Sequence, residues 1–274
     1  MRRLLTLVTT LAALGVTALT GAAPASAITN GELDGNAHPY VGLMVATDDL
    51  GRPMWPCTGT LVSPTRFVTA GHCTDGAAGA ELWFGPGPYD EHPLFDPTVR
   101  DACAAVPAGG YPCAGDASGT PVTHPSYDPA APHLADLGVV VLDEPVVLDR
   151  YASLPSPELL EGEKGKVSFT TVGYGQQRAF PGPASWKDEV EVVRMAAQPR
   201  LIKVAPQKYG ESVFMVSANA RTGGTCYGDS GGPMLIGDVL VGITSFGINV
   251  PCAGQTGAFR LDRPETLTWL TTQL

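Results

Sequence analysis

The chain has 274 residues, with 17 Lys and Arg against 27 Asp and Glu, so its formal net charge is −10. This acidic balance disfavours nucleic acid or an anionic membrane surface as a partner, because both carry negative charge themselves. The length is enough for one large β protein or two small barrels, each with a sizeable core.

The N-terminal segment 1–27 has the features of a secretory signal peptide. Two arginines after Met1 precede an apolar run over residues 4–19, and the segment ends in Ala25-Ser26-Ala27, a small-residue cleavage site. A membrane anchor is the alternative, but the run is interrupted by threonines and is shorter than the ~20 residues that span a bilayer. Removal of two arginines and no acid changes the net charge to −12. We expect a secreted, extracellular protein with no membrane association after signal removal.

Short apolar or β-branched runs recur between turn signals along the rest of the chain, as in a β-barrel or β-sandwich. These runs are residues 41–45, 59–62, 66–70, 81–84, 137–142, 166–172, 190–195, 212–216, 234–236 and 239–245. Residues 85–132 lack periodicity and are interpreted as long loops, and residues 148–165 as a link between two halves. Residues 263–274 predict a terminal helix with an apolar stripe at Leu267, Leu270 and Leu274; a frayed tail is the alternative.

Three short motifs carry candidate catalytic side chains. They are TAGHC with His72, ADLGVV with Asp136 and GDSGGP with Ser230. A serine hydroxyl is a poor nucleophile at neutral pH unless an imidazole takes its proton, and a third group must hold that imidazole in one tautomer. His72 follows an apolar strand that fixes its position. Asp136 precedes a buried strand, where a carboxylate needs a partner. The three side chains therefore suit a base, an orienting acid and a nucleophile.

Two other chemistries fit these residues less well. A histidine beside a cysteine can bind zinc, but no second ligand is spaced to join His72, and we expect no metal and no other cofactor. An esterase on the α/β-hydrolase fold has its catalytic residues in the order Ser, Asp, His, which is the reverse of the order here.

The motifs, their order and the glycine two residues before Ser230 resemble the chymotrypsin-like (trypsin-fold) secreted serine peptidases of bacterial type. The resemblance covers residues 28–274 and is strongest around 57–73, 136–142 and 224–247. It implies an all-β fold of two packed six-stranded antiparallel β-barrels with a C-terminal helix. Barrel one would span about residues 28–150, barrel two about 160–262 and the helix 263–274.

The same resemblance implies a serine endopeptidase that cleaves protein or peptide substrates through an acyl-enzyme; we expect it to be a monomer. The alternative is a catalytically inactive relative that serves as a binding or adhesion protein. The presence of His72, Asp136 and Ser230 together argues against that alternative.

Six cysteines in an exported chain indicate disulfides, and sequence alone permits 15 pairings. The resemblance selects two pairs, and the remaining two cysteines are close enough in sequence for a local loop closure. The expected pairs are Cys57 with Cys73, Cys226 with Cys252, and Cys103 with Cys113.

The resemblance also implies two backbone roles near the nucleophile. The N–H groups of Gly228 and Ser230 would form an oxyanion hole. A freed N-terminus at Ile28 would insert and pair its ammonium with Asp229. Because the predicted signal cleavage falls directly before Ile28, export and activation would be a single cut.

The specificity pocket is expected to lack charge. By resemblance it is built from Gly224, Thr225, Ser245, Phe246, Gly247 and Gly257. Trypsin-type relatives carry an aspartate where this chain has Gly224, so Lys and Arg should be rejected. Small residues at Gly247 and Gly257 predict open walls and a preference for Phe, Tyr, Leu or Met. Selection of small residues is the alternative if Thr225 or a loop residue fills the pocket.

Overall fold

The structure is a computed structural model, and it describes residues 28–89, 103, 110–163 and 165–274. The predicted signal peptide and much of the segment interpreted as long loops lie outside the described residues. None of the helices in the described part of the chain is long and apolar enough to cross a membrane.

Six antiparallel strands form a closed barrel in the order β2-β3-β4-β7-β6-β5. They are β2 (Val41–Thr47), β3 (Pro53–Ser63), β4 (Arg66–Thr69), β5 (Gly79–Trp83), β6 (Ala117–Thr123) and β7 (Gly138–Leu142). Strand β4 pairs with β7 so that Thr69 lies opposite Gly138. Because the pair is antiparallel, the chain that leaves β4 lies beside the chain that enters β7. This register brings the segments containing His72 and Asp136 together.

A second sheet has eight strands in the order β1-β9-β8-β12-β13-β14-β11-β10. They are β1 (Glu32–Leu33), β8 (Thr170–Gly173), β9 (Met195–Ala197), β10 (Leu201–Val204), β11 (Val213–Ala218), β12 (Pro233–Ile236), β13 (Val239–Gly247) and β14 (Gly254–Arg260). The two-sheet, all-β fold is confirmed, but this sheet has eight strands and not six. Pro199, which has no N–H to donate, separates β9 from β10. Strand β1, which the sequence grouped with barrel one, pairs with β9 here.

One cluster of buried side chains spans both sheets. It includes Phe67 and Leu137 from the barrel, Leu235 and Phe259 from the second sheet, and Leu270 from the C-terminal helix. Contacts of this kind fix the two sheets relative to each other, because well-packed interiors leave little room for sliding.

Two α-helices and two short 3₁₀ helices complete the described fold. They are α1 (Gly71–Thr74), α2 (Pro264–Gln273), and 3₁₀ turns at Pro132–Leu134 and Gly182–Lys187. The predicted terminal helix is therefore present. Its buried residues are Thr266 and Leu270, while Leu274 is 55% exposed. Trp269 packs on the core instead, and the centroid of its ring lies 4.8 Å from that of the His124 ring.

Three disulfides are present: Cys57–Cys73, Cys103–Cys113 and Cys226–Cys252. These are the same pairs that the resemblance and the sequence spacing select. The first ties β3 to α1 and therefore braces the segment that carries His72. The third joins the two loops on either side of the β12–β13 hairpin.

Candidate active site

His72 and Asp136 are held together by direct hydrogen bonds. The His72 backbone N–H donates to Asp136 Oδ1 at 3.0 Å, and His72 Nδ1 lies 2.9 Å from Oδ2. A carboxylate can only accept, so Nδ1 carries the proton of this bond and Nε2 is left as the acceptor in the neutral ring. The His72 side chain is 30% exposed, whereas Asp136 is fully buried. The arrangement fixes the tautomer that a general base needs.

Ser245 makes a second contact with the same carboxylate. Its hydroxyl donates to Asp136 Oδ2 at 2.5 Å from strand β13 of the second sheet. Asp136 thus accepts three hydrogen bonds, which offset the cost of burying its charge. The family resemblance implies only a pocket role for Ser245. Its contact with a residue 109 positions away has no local signal in the sequence.

The loop that carries Ser230 lies at the junction of the two sheets. The Ser230 carbonyl oxygen accepts a hydrogen bond from the Thr58 N–H at 2.8 Å and lies 3.6 Å from the Cys73 sulfur, one residue after His72. Gly231 has a φ of +77°, and a Cβ there would lie 2.1 Å from the Thr69 hydroxyl. Only glycine fits this position, which explains why the turn after Ser230 is glycine-rich.

Between Gly228 and Gly232, two backbone N–H groups remain available. The N–H groups of Asp229, Gly231 and Gly232 donate to backbone carbonyls, at 2.8 to 3.1 Å. Within the described residues those of Gly228 and Ser230 donate to no protein acceptor. These are the two groups that the resemblance assigns to the oxyanion hole. Unpaired donors on a rigid loop suit an anion that forms only during a reaction.

Asp229 is fully buried behind the same loop. Burial raises the pKa of its carboxyl to about 7, although hydrogen bonds from the N–H groups of Cys226 and Gly175, both at 2.8 Å, oppose the increase. Among the described residues no hydrogen bond joins Ile28 to this carboxylate. In the uncut chain the Ile28 nitrogen is a peptide amide, so it has no charge to offer.

The segment that begins at Ile28 is nevertheless held against the second sheet. Ile28 is fully buried against Val193, Met195 and Ala197. The Gly224 N–H donates to the Thr29 carbonyl at 3.0 Å, which links this segment to the loop before the nucleophile. Ile28 therefore lies next to the elements that build the site, as an inserted N-terminus requires.

A cavity of about 380 Å³ opens beside Ser230. Of the predicted pocket residues it is lined by Thr225, Ser245, Phe246 and Gly247, and its lining contains no acidic side chain. Two predicted pocket residues, Gly224 and Gly257, are not among the residues that line this cavity. A Cβ on Gly224 would lie 2.4 Å from the Ala218 Cβ, so a side chain at this position would meet strand β11. A Cβ on Gly257 would lie 2.3 Å from the Phe246 ring, so Gly257 packs beneath that ring and forms no open wall.

Thr256, and not Gly257, contributes to the wall of the cavity. It lies opposite Gly247 in the β13–β14 ladder and lines the cavity. Its hydroxyl lies 3.0 Å from that of Thr225, and both side chains are buried. The cavity wall therefore contains two paired threonine hydroxyls.

A family model described as trypsin matches residues 115–261, more than half of the chain. The chain belongs to the trypsin family. A trypsin of Saccharopolyspora erythraea is 28% identical over 227 residues, which cover 81% of this chain and 87% of the relative.

The comparison with solved structures shows that the chain shares its fold with other proteins. The structure of HL collagenase matches with a TM-score of 0.67 at 19% identity and covers 90% of this chain and 98% of its own. The scabies mite inactivated protease paralogue S-D1 matches with a TM-score of 0.63 at 17% identity, over 90% and 97% of the two chains. Because an inactivated paralogue has the same fold, the fold alone does not decide whether a trypsin-family chain is catalytic.

Proposed function

We propose that this chain is a secreted serine endopeptidase that hydrolyses peptide bonds through an acyl-enzyme on Ser230. The observation that carries the proposal is the hydrogen-bonded set of His72, Asp136 and Ser245 beside a loop in which the N–H groups of Gly228 and Ser230 are unpaired. An inactive binding protein has no need for a fixed imidazole tautomer or for free donors next to a serine hydroxyl.

The proposed reaction has two halves. The Ser230 hydroxyl oxygen attacks the carbonyl carbon of the substrate, and His72 Nε2 takes its proton. The N–H groups of Gly228 and Ser230 stabilise the oxygen that becomes negative. When the C–N bond breaks, His72 returns the proton to the leaving amine. Water then repeats the sequence on the acyl-enzyme, releases the acid and restores the Ser230 hydroxyl.

Activation is proposed to occur by signal removal directly before Ile28. The new ammonium would then neutralise the Asp229 carboxylate, whose burial is unfavourable without a positive partner. The buried position of Ile28 and its hydrogen-bonded neighbour Thr29 support an N-terminus that inserts at this place.

The substrate is proposed to be a protein or peptide with a neutral side chain before the cleaved bond. A Lys or Arg side chain entering this cavity would lose hydration with no carboxylate to replace it. The expectation of Phe, Tyr, Leu or Met depends on open walls at Gly247 and Gly257. Since Thr256 adds bulk opposite Gly247, we favour side chains of medium size such as Leu or Met.

Labelling of the secreted chain with a fluorophosphonate tests the catalytic assignment. Ser230→Ala and His72→Ala should abolish labelling and lower peptide hydrolysis by roughly 10⁶-fold, because such residues act as a unit. Ser156→Ala, at an exposed serine, is the matched control and should label like the parent. If both site variants hydrolysed peptides at the parental rate, the proposal would be wrong.

A further inference from the structure

Thr58 of the first barrel makes two hydrogen bonds to the nucleophile loop, residues 228–232. Its N–H donates to the Ser230 carbonyl at 2.8 Å, and its hydroxyl donates to the Gly228 carbonyl at 2.9 Å. Its Cγ2 lies 3.1 Å from the place of a Cβ on Gly232. Thr58 is fully buried, so its own side chain is shielded from water.

The Thr58 hydroxyl also connects two segments of the second sheet. It accepts a hydrogen bond from the Tyr174 N–H at 3.3 Å while it donates to Gly228. The residue after Tyr174, Gly175, donates to Asp229 Oδ1. One hydroxyl therefore joins the barrel that carries His72 to both backbone segments around Asp229.

This position matters because Gly228 restrains the loop poorly by itself. Its φ of +96° lies in a region that glycine enters and leaves at little cost. The Gly228 carbonyl belongs to the peptide unit between Gly228 and Asp229. The hydrogen bond from Thr58 to this carbonyl therefore limits rotation of the backbone between the N–H groups of Gly228 and Ser230. A displacement of about 1 Å in such groups can cost on the order of 100-fold in rate.

We propose that the Thr58 hydroxyl is a positioning group. It holds the N–H groups of Gly228 and Ser230 in a fixed position relative to His72, which lies on the other side of the junction between the two sheets. The inference rests on the proposed function and adds to it a residue outside the three motifs. Packing alone would require only the Thr58 methyl group, whereas positioning requires the hydroxyl.

The test compares Thr58→Val, which keeps the shape and removes the hydroxyl, with Thr58→Ser, which keeps the hydroxyl. Thr58→Val should lower kcat by roughly 10- to 100-fold and leave KM within about threefold, somewhat less than the loss of a whole oxyanion donor. Its affinity for a peptide boronic acid should fall in parallel, while its affinity for the product peptide should not. Thr58→Ser should retain kcat within about threefold of the parent.

Thr60→Val is the matched control. Thr60 is fully buried two residues along the same strand, and within the described residues its hydroxyl has no hydrogen-bond partner. This variant should keep the parental kcat. Thr58→Ala provides a second hydroxyl deletion if Thr58→Val does not fold, and it should show the same loss in kcat.

The inference is overturned if the hydroxyl deletions keep kcat within twofold, or if Thr58→Ser loses as much as Thr58→Val. Fluorophosphonate labelling of the parent separates the two proposals. A parent that labels while Thr58→Val has a normal kcat refutes only the role of Thr58. A folded, processed parent that neither labels nor cleaves refutes the peptidase assignment itself.

Discussion

The protein that has not been cut before Ile28 should become less stable as the pH rises and the Asp229 carboxyl ionises. The pKa of this group is raised from its ordinary value of 3.8 to about 7 in the folded chain, chiefly by burial. Between these values the folded state binds a proton that the unfolded state releases, so raising the pH favours unfolding. A shift of about 3 pKa units corresponds to roughly 4 kcal/mol of stability, most of it lost between pH 4 and pH 7.

The assay is urea unfolding of the uncut chain at several pH values from 5 to 8, on a Ser230→Ala background that prevents self-cleavage. Over this interval the Asp229 contribution should fall by about 2 to 3 kcal/mol. The side chain introduced by Asp229→Asn cannot ionise. The free energy of unfolding of the parent minus that of this variant should therefore fall by the same amount between pH 5 and pH 8. Asp49→Asn, at an exposed aspartate, should follow the parent at every pH.

Cleavage of the chain before Ile28 should abolish this decrease in stability with rising pH. The new α-ammonium, with an unperturbed pKa of about 7.7–8, would pair with Asp229 and have its own pKa raised. The loss of stability between pH 5 and 8 should then disappear, and activity should decline only at alkaline pH as the amine deprotonates. Parallel pH curves for the uncut parent and Asp229→Asn would refute the reasoning, as would an active form that begins well after Ile28.

Two further predictions concern the candidate site. Ser245→Ala removes a hydrogen-bond donor to the buried Asp136 carboxylate. Because hydrogen bonds to charged groups contribute about 1.5–3 kcal/mol, kcat/KM on a peptide substrate should fall at least tenfold. An unchanged kcat/KM would contradict the support of Asp136 by Ser245. On matched substrates that differ only before the cleaved bond, kcat/KM should be larger for Leu than for Arg, and Thr256→Gly should raise the value for Phe relative to Leu by roughly tenfold or more. A larger value for Arg than for Leu would overturn the neutral pocket.

The short-range features of this chain could be predicted from sequence. The apolar run at residues 137–142 predicts a buried strand, and β7 (Gly138–Leu142) is that strand. Four strands, β1, β6, β10 and β14, lie outside the predicted runs, and two of them carry weak patterns. Strand β6 (Ala117–Thr123) contains Gly119 and Pro121, and β14 (Gly254–Arg260) contains Gly257. Both are strands because neighbours on each side complete their hydrogen bonds, and tertiary pairing of this kind overrides weak local preference.

The sequence alone determined which reactive groups this protein possesses: an imidazole, a carboxylate and a serine hydroxyl within glycine-rich or strand-flanking motifs. Those choices depend on side-chain chemistry and on spacing over a few residues. Only the tertiary structure decided that Ser245 supports Asp136, that Thr58 reaches the nucleophile loop, and that Thr256 faces the cavity. Strand register and the packing of two sheets determine which side chains meet, because they join residues that are far apart in the chain: 31 positions for Thr225 and Thr256, 109 for Asp136 and Ser245, and 170 for Thr58 and Gly228.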